Sequence, residues 1–149
     1  MPTLHVIAND IRSRENVGAI FRTCDFLGVS KLWLTGYTPV VPDPRIEKVA
    51  LGADKTVEWE QVTDVTKAIK QLRRDGFRIV GLELDERATS LSEYTVPEKT
   101  ALLLGNEVTG IPPSLRKECD DIVMIAKNGT KESLNVSVAA GIAMWSLLN

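Results

Sequence analysis

Three stretches of the chain collect side chains that bind or orient ligands. The first runs Asn9-Asp10-Ile11-Arg12-Ser13-Arg14-Glu15-Asn16 and on through Gly18 to Arg22. Asn16 offers a carboxamide, and Arg22 offers a guanidinium suited to holding an oxygen or a phosphate. The second is Leu102-Leu103-Leu104-Gly105-Asn106-Glu107-Val108-Thr109-Gly110-Ile111-Pro112. An apolar run that passes straight into Gly-Asn-Glu presents bare backbone N–H and C=O groups. Such groups suit the edge of an adenine and a ribose, with a carboxylate close by. The third runs from Ile125-Ala126-Lys127-Asn128-Gly129 to Ser133-Leu134-Asn135-Val136-Ser137. There a polar loop enters a helix whose N-terminus, at Ser133 and Asn135, can bind an anion or cap itself. Each stretch has a plainer alternative: capping by Asn16 with an acid paired to Arg22, an ordinary turn at Gly105, and capping alone at Asn135.

The elements around these stretches alternate. Leu4–Ala8 reads as a strand, followed by a helix capped by Asn16 and running to about Leu27, with Gly28 as its stop. Lys31–Thr35 is a second strand. A proline-bearing loop and a short helix from about Arg45 to Gly52 follow, then a strand at Val57–Val62. Asp64–Arg74 carries apolar residues at 65, 68, 69 and 72, a helical stripe closed by Gly76. Further strands fall at Arg78–Leu82, Thr100–Leu104 and Asp121–Ile125. The last helix, Asn135–Leu148, is apolar nearly all round, which asks for burial on every side and hints at a subunit interface. The pattern implies an α/β fold, a mainly parallel sheet with helices on both faces. The stretches at Asn9, Leu104 and Ile125 then follow strand ends, where open α/β sheets bind ligands.

Length and composition narrow the function classes. The chain has 149 residues, 18 Lys+Arg against 20 Asp+Glu, and a formal net charge of −2. At roughly 150 residues per domain this reads as a single domain, residues 1–149, with no accessory domain. The near-neutral balance excludes a protein that holds nucleic acid by bulk electrostatics. No apolar run is long enough to span a bilayer, and MPTLHVIANDIR lacks a secretory n- and h-region, so a cytoplasmic protein is expected. Two distant cysteines, Cys24 and Cys119, exclude a disulfide framework and most zinc sites. No G-x-G-x-x-G follows the first strand, and Ile111-Pro112 replaces the Lys-Ser/Thr of a P-loop. Cys24 with His5 reads as packing rather than as a nucleophilic pair. The basic run Lys67, Lys70, Arg73 and Arg74 reads as a solvated helix face.

Taken together, the three stretches resemble the SpoU/TrmH-type 2'-O-ribose RNA methyltransferases of the SPOUT superfamily. The resemblance rests on N-x-G-x-x-x-R at Asn16, Gly18 and Arg22 and on G-N-E-x-x-G at Gly105, Asn106, Glu107 and Gly110. It is completed by S-L-N-V-S-x-A at Ser133–Ser137 and Ala139, and it covers essentially the whole chain. It implies a deep C-terminal trefoil knot from about residue 100 to 149, an element that periodicity does not reveal. It implies S-adenosyl-L-methionine as cofactor, held by Leu104, Gly105, Asn106, Glu107, Gly110, Ile125, Ser133 and Leu134, with no metal and no membrane. It also implies a homodimer with the active site near the interface and structured RNA, tRNA or rRNA, as substrate.

By the same resemblance Arg22, Asn16, Ser133 and Asn135 form the catalytic set. A guanidinium is a reluctant base, so Arg22 is expected to orient the ribose 2'-hydroxyl and the neighbouring phosphate. Asn16 would hold Arg22 or the ribose, and Glu107 would brace the cofactor loop. Arg12, Arg14, Arg22, Lys127 and Lys131 would contact RNA through few phosphates. Ile125-Ala126-Lys127 stands where family members commonly have Ile-Pro-Met. Two alternatives compete: a non-catalytic RNA-binding or assembly protein on the same fold, and a SPOUT enzyme that methylates a base nitrogen.

Overall fold

The computed structural model describes residues 2–149. In chain order it contains β1 (Thr3–Asn9), α1 (Arg14–Leu27), β2 (Lys31–Thr35), α2 (Pro44–Ala50), β3 (Trp59–Val62), α3 (Val65–Arg74) and β4 (Arg78–Leu82). There follow β5 (Thr89–Ser90), β6 (Lys99–Leu104), α4 (Pro113–Arg116), β7 (Asp121–Met124) and α5 (Val136–Leu148). The strands form one sheet in the order β3-β2-β1-β6-β4-β7-β5. Every pairing is parallel; Val6, for example, lies between Leu32 and Leu102. Parallel strands buried on both faces need apolar residues at successive positions, which β1 and β6 supply.

Alternation along the strands divides the core into two layers. Leu4, Val6 and Ala8 point to the layer made by α1, α2 and α5, with Val17, Ile20, Phe21, Ile46, Ala140, Ala143 and Met144. Ile7, Trp33, Ala101 and Leu103 point the other way, onto Ala68, Ile69 and Leu72 of α3 and Leu115 of α4. Burial of such side chains contributes about 1.5–3 kcal/mol each, so both layers hold the sheet.

Several boundaries differ from the sequence reading for identifiable reasons. Helix α1 begins at Arg14 because Ser13, not Asn16, is its cap: the Ser13 hydroxyl accepts the Asn16 backbone N–H at 3.1 Å. The Asn16 side chain is thereby released for another task. Asn135 does cap α5, its Oδ1 accepting the N–H groups of Ser137 and Val138 at 2.9 and 3.4 Å. β3 starts at Trp59 rather than Val57. The two-residue β5 and the four-residue α4 are too short for any periodicity to mark.

Candidate active site

The carboxyl ends of β1, β6, β4 and β7 deliver the three polar stretches to one rim. Below the rim lies a cavity of about 520 Å³, in the range of small-molecule sites. The eight residues tied above to the cofactor, from Leu104 and Gly105 through Ile125 to Ser133 and Leu134, all line it. Gly105 allows the chain to double back there: a Cβ on it would stand 2.6 Å from the Gly110 carbonyl oxygen. Asn106 and Gly110 then pair backbone to backbone at 3.2 and 3.0 Å, closing the loop.

Glu107 turns out of this loop and fastens the start of α1. Its carboxylate accepts the Arg12 and Ser13 backbone N–H groups at 2.9 Å each, and the Asn16 side-chain amide at 3.0 Å. Burial alone would raise the Glu107 pKa, but these three donors outweigh it and hold the carboxyl below its ordinary value. The other end of the Asn16 amide accepts a hydrogen bond from Asn135 Nδ2 at 3.3 Å. One polar chain, Glu107–Asn16–Asn135, therefore joins all three stretches. Asn16 has both its polar atoms committed to this chain rather than to Arg22.

Arg22 lies elsewhere. It is exposed, has no acidic partner among the described residues, and borders a shallow groove with Phe26, Leu51, Gly141 and Trp145. Within a single chain it does not line the cavity. The RNA-facing candidates also separate. Arg14 is bound to Asp43 at 2.7 Å, whereas Arg12 keeps an exposed side chain with no ion pair among the described residues. Lys127 and Lys131 stand exposed on the cavity wall, as does Ser133.

Two residues at this rim escaped the sequence reading. Glu83 follows β4, lines the cavity, and accepts the Ile111 N–H at 3.1 Å, with Arg116 beside it at 3.6 Å. Tyr37 follows β2, and its phenol oxygen accepts Asn106 Nδ2 at 2.7 Å. Their position just past parallel strand ends was the available signal. Among the described residues no cluster of metal-ligating side chains occurs, and no helix is long and apolar enough to cross a membrane.

The donor set fits a nucleoside-bearing cofactor. Leu82, Leu84, Leu104 and Ile125 supply apolar walls, while the backbone at Gly105 and the side chains of Glu83 and Asn128 supply polar edges. Comparison with known proteins agrees. The sequence model of the SpoU rRNA Methylase family matches residues 3–145. The chain is 32% identical over 138 residues to the 23S rRNA (guanosine-2'-O-)-methyltransferase RlmB of Acinetobacter baylyi, covering 92% of this chain and 56% of that protein. It superposes on the SpoU methyltransferase AviRb from Streptomyces viridochromogenes, solved with the cofactor AdoMet, with a TM-score of 0.86 and 28% identity. That match covers 98% of this chain and 57% of AviRb. A structure solved to explain 2-OH methylation of C/U34 on tRNA gives a TM-score of 0.86 at 25% identity, covering 98% of this chain and 94% of that one. The chain thus spans little more than half the length of the RlmB and AviRb chains it resembles. With a match over 3–145 and the fold reproduced, the chain belongs to the SpoU rRNA Methylase family.

Proposed function

We propose that this protein transfers a methyl group from S-adenosyl-L-methionine to a ribose 2'-hydroxyl of structured RNA. Transfer RNA is the first substrate choice and ribosomal RNA the second. The observation that carries this reading is the Glu107–Asn16–Asn135 chain, which binds the three motif segments into one rim over one cavity. A binding module has no need of Asn16, Arg22, Glu107, Ser133 and Asn135 together.

When bound, the cofactor supplies an electrophilic methyl group on a sulfonium. The chain's own task is placement. Leu104, Gly105 and Ile125, which line the cavity, would hold the adenosyl moiety along their backbone, and the apolar wall would keep water from that end. Ser133 and Asn135, at the N-terminus of α5, would fix a phosphate or the carboxylate end of the cofactor. Arg22 would orient the 2'-hydroxyl and the adjacent phosphate, and holding the oxygen in line behind the methyl carbon would supply much of the rate. Arg22, a reluctant base, would only hold the 2'-oxygen while the oxygen's lone pair takes the methyl carbon, its proton passes to solvent and the displaced electron pair stays on the sulfur.

Because Arg22 stands apart from its own chain's cavity, the reading includes a homodimer in which α1 and α5 meet their counterparts. Val138, Ile142 and Trp145 form a stripe along α5 at 51%, 43% and 60% exposure, an apolar surface of the kind that protein interfaces cover. The reading further includes a trefoil knot over about residues 100–149, work as one domain, and action in the cytoplasm. The knot rests on the likeness of the three motif segments to the SPOUT methyltransferases.

The test is incubation with methyl-labelled cofactor and either total tRNA or ribosomal RNA, then nuclease digestion and nucleoside analysis. A 2'-O-methylated nucleoside is the expected product. No methylated nucleoside would overturn the enzyme reading, and a base-methylated one would overturn the ribose assignment.

A further inference from the structure

Tyr37 is an aromatic ring with no packing role. It is 59% exposed and belongs to neither apolar layer. An exposed tyrosine on a loop is ordinarily mobile, but this one is fastened at both ends. Its backbone N–H donates to Asp10 Oδ1 at 3.1 Å, and its phenol oxygen accepts from Asn106 Nδ2 at 2.7 Å. The same Asn106 amide donates to the Asp10 carbonyl at 2.9 Å, while its Oδ1 accepts the Val108 and Thr109 N–H groups at 2.8 and 3.0 Å. One side chain therefore shapes the G-N-E loop and pins the ring to its outer edge.

The turn that carries Tyr37 is specialised for this placement. Asp10 has φ +54° and Gly36 has φ +62°, both in the left-handed region that side chains other than glycine, asparagine and aspartate avoid. A Cβ at Gly36 would run into the Asp10 carboxylate, so no larger residue fits there. A left-handed backbone at Asp10 and Gly36 and an anchored ring are maintained for a side chain that packs in neither apolar layer of this chain. The neighbourhood says what the face meets. Arg12, whose backbone N–H is held by Glu107 and whose side chain is exposed, brings positive charge to the same rim.

We propose that Tyr37 is a stacking platform for a base of the RNA strand that lies across this rim, next to the nucleotide being methylated. A ring fixed in place loses little entropy on binding, and every base has a π-face that can lie on it. Arg12 would then contact a phosphate of the same strand, and Asn106, by pinning the ring, would register the base against the cofactor loop. The platform favours an unpaired base, because a base inside a duplex has both faces covered. This inference rests on the RNA methyltransferase reading and adds the position at which the substrate strand is gripped.

The experiment separates the ring from its hydroxyl. Tyr37→Ala is expected to raise KM for total tRNA roughly 5- to 100-fold, with a much smaller change in kcat, as loss of one base–aromatic stack predicts. Tyr37→Phe and Tyr37→Trp keep the ring and should hold KM near the parent value. Cofactor Kd, measured by calorimetry, should move less than the RNA KM in all three. In parallel, a transcribed tRNA pool carrying 5-iodouridine, irradiated at long wavelength, should crosslink to the peptide containing Tyr37 in the parent protein. Equal damage from Phe and Ala, or a parallel loss of cofactor affinity, would show that Tyr37 only braces Asn106 and would overturn the proposal. Unchanged KM in Tyr37→Ala, or no crosslink at Tyr37, would overturn it as well. A crosslink without any methylated nucleoside would sink the activity reading and leave the platform standing, so the two fail separately.

Discussion

On the face covered by α3, the sheet's rings are finished with charge. Lys31 Nζ lies 4.0 Å above the Trp33 ring, Lys99 Nζ lies 5.4 Å from Phe77, and the outer side of α3 shows Lys67, Lys70 and Arg74 to solvent. On the face covered by α1 and α5, the outermost rings are bare: Phe26 is 87% exposed and Trp145 60%, beside the exposed Arg22. Both helical layers bury a proper inner stripe, Ala68, Ile69 and Leu72 in one and Ala140, Ala143, Met144 and Leu147 in the other. The difference lies outside, where one layer carries charge and the other leaves its rings bare, the surface that the proposed dimer would cover.

The sharpest way to break this contrast is through Arg22. Arg22→Ala should lower methyl transfer at least 100-fold while cofactor Kd stays within a few-fold, measured by labelled-methyl incorporation and calorimetry. Equal loss of both would make Arg22 structural. Mixing Arg22→Ala with Asn135→Ala protein should restore a substantial share of activity, because a mixed dimer keeps one intact composite site; no recovery would place both residues in the same chain's site.

A smaller effect compares the two faces directly. Trp145→Glu puts a charge in the bare stripe and should convert the proposed dimer to monomer in sedimentation, with activity falling at least tenfold. Lys70→Glu, on the solvated layer, should leave the sedimentation and the melting temperature nearly unchanged. The reverse pattern would assign the interface to α3.

Glu107→Ala tests the joint between the layers' loops. It strips the acceptor from Arg12, Ser13 and Asn16, and should cost about 1–3 kcal/mol of stability by denaturant titration. Glu107 also carries a pH signature. Its pKa is lowered in the fold, so the stabilisation it gives is present above the ordinary glutamate pKa and fades as pH falls through the lowered value. Glu107→Gln should flatten the acid limb of a pH–stability curve.

The weakest expected effect sits at the far end of the sheet. His5 accepts the Trp33 indole N–H at 3.1 Å and faces Phe77 at 4.4 Å. Burial, aided by Lys31, pushes its pKa down from 6.5 to about 4. The unfolded chain then binds the extra proton first, so stability should decline as pH drops from 6.5 towards 4. His5→Gln, followed by thermal melts at pH 7 and 5, should show a smaller difference between the two than the parent protein.

Much of this was legible in the residue order. The periodicity of Val65–Arg74 and the apolar runs at β1 and β6 name helix and strands because those patterns reflect which faces must leave water. The motif segments marked the rim residues by type. Asn16 is the instructive exception: local chemistry makes it a cap, yet Ser13 takes that role and leaves Asn16 to bind Glu107, 91 residues away. Glu83 and Tyr37 had no motif to announce them.

The sequence by itself determined the alternating α/β pattern, the residue types at the strand ends and the all-round apolar character of α5, since all are properties of neighbours along the chain. Only the tertiary structure decided the strand order, the Glu107–Asn16–Asn135 chain and the separation of Arg22 from the cavity. Those depend on which distant segments lie side by side, and parallel strands joined through crossovers place together residues that local spacing cannot relate.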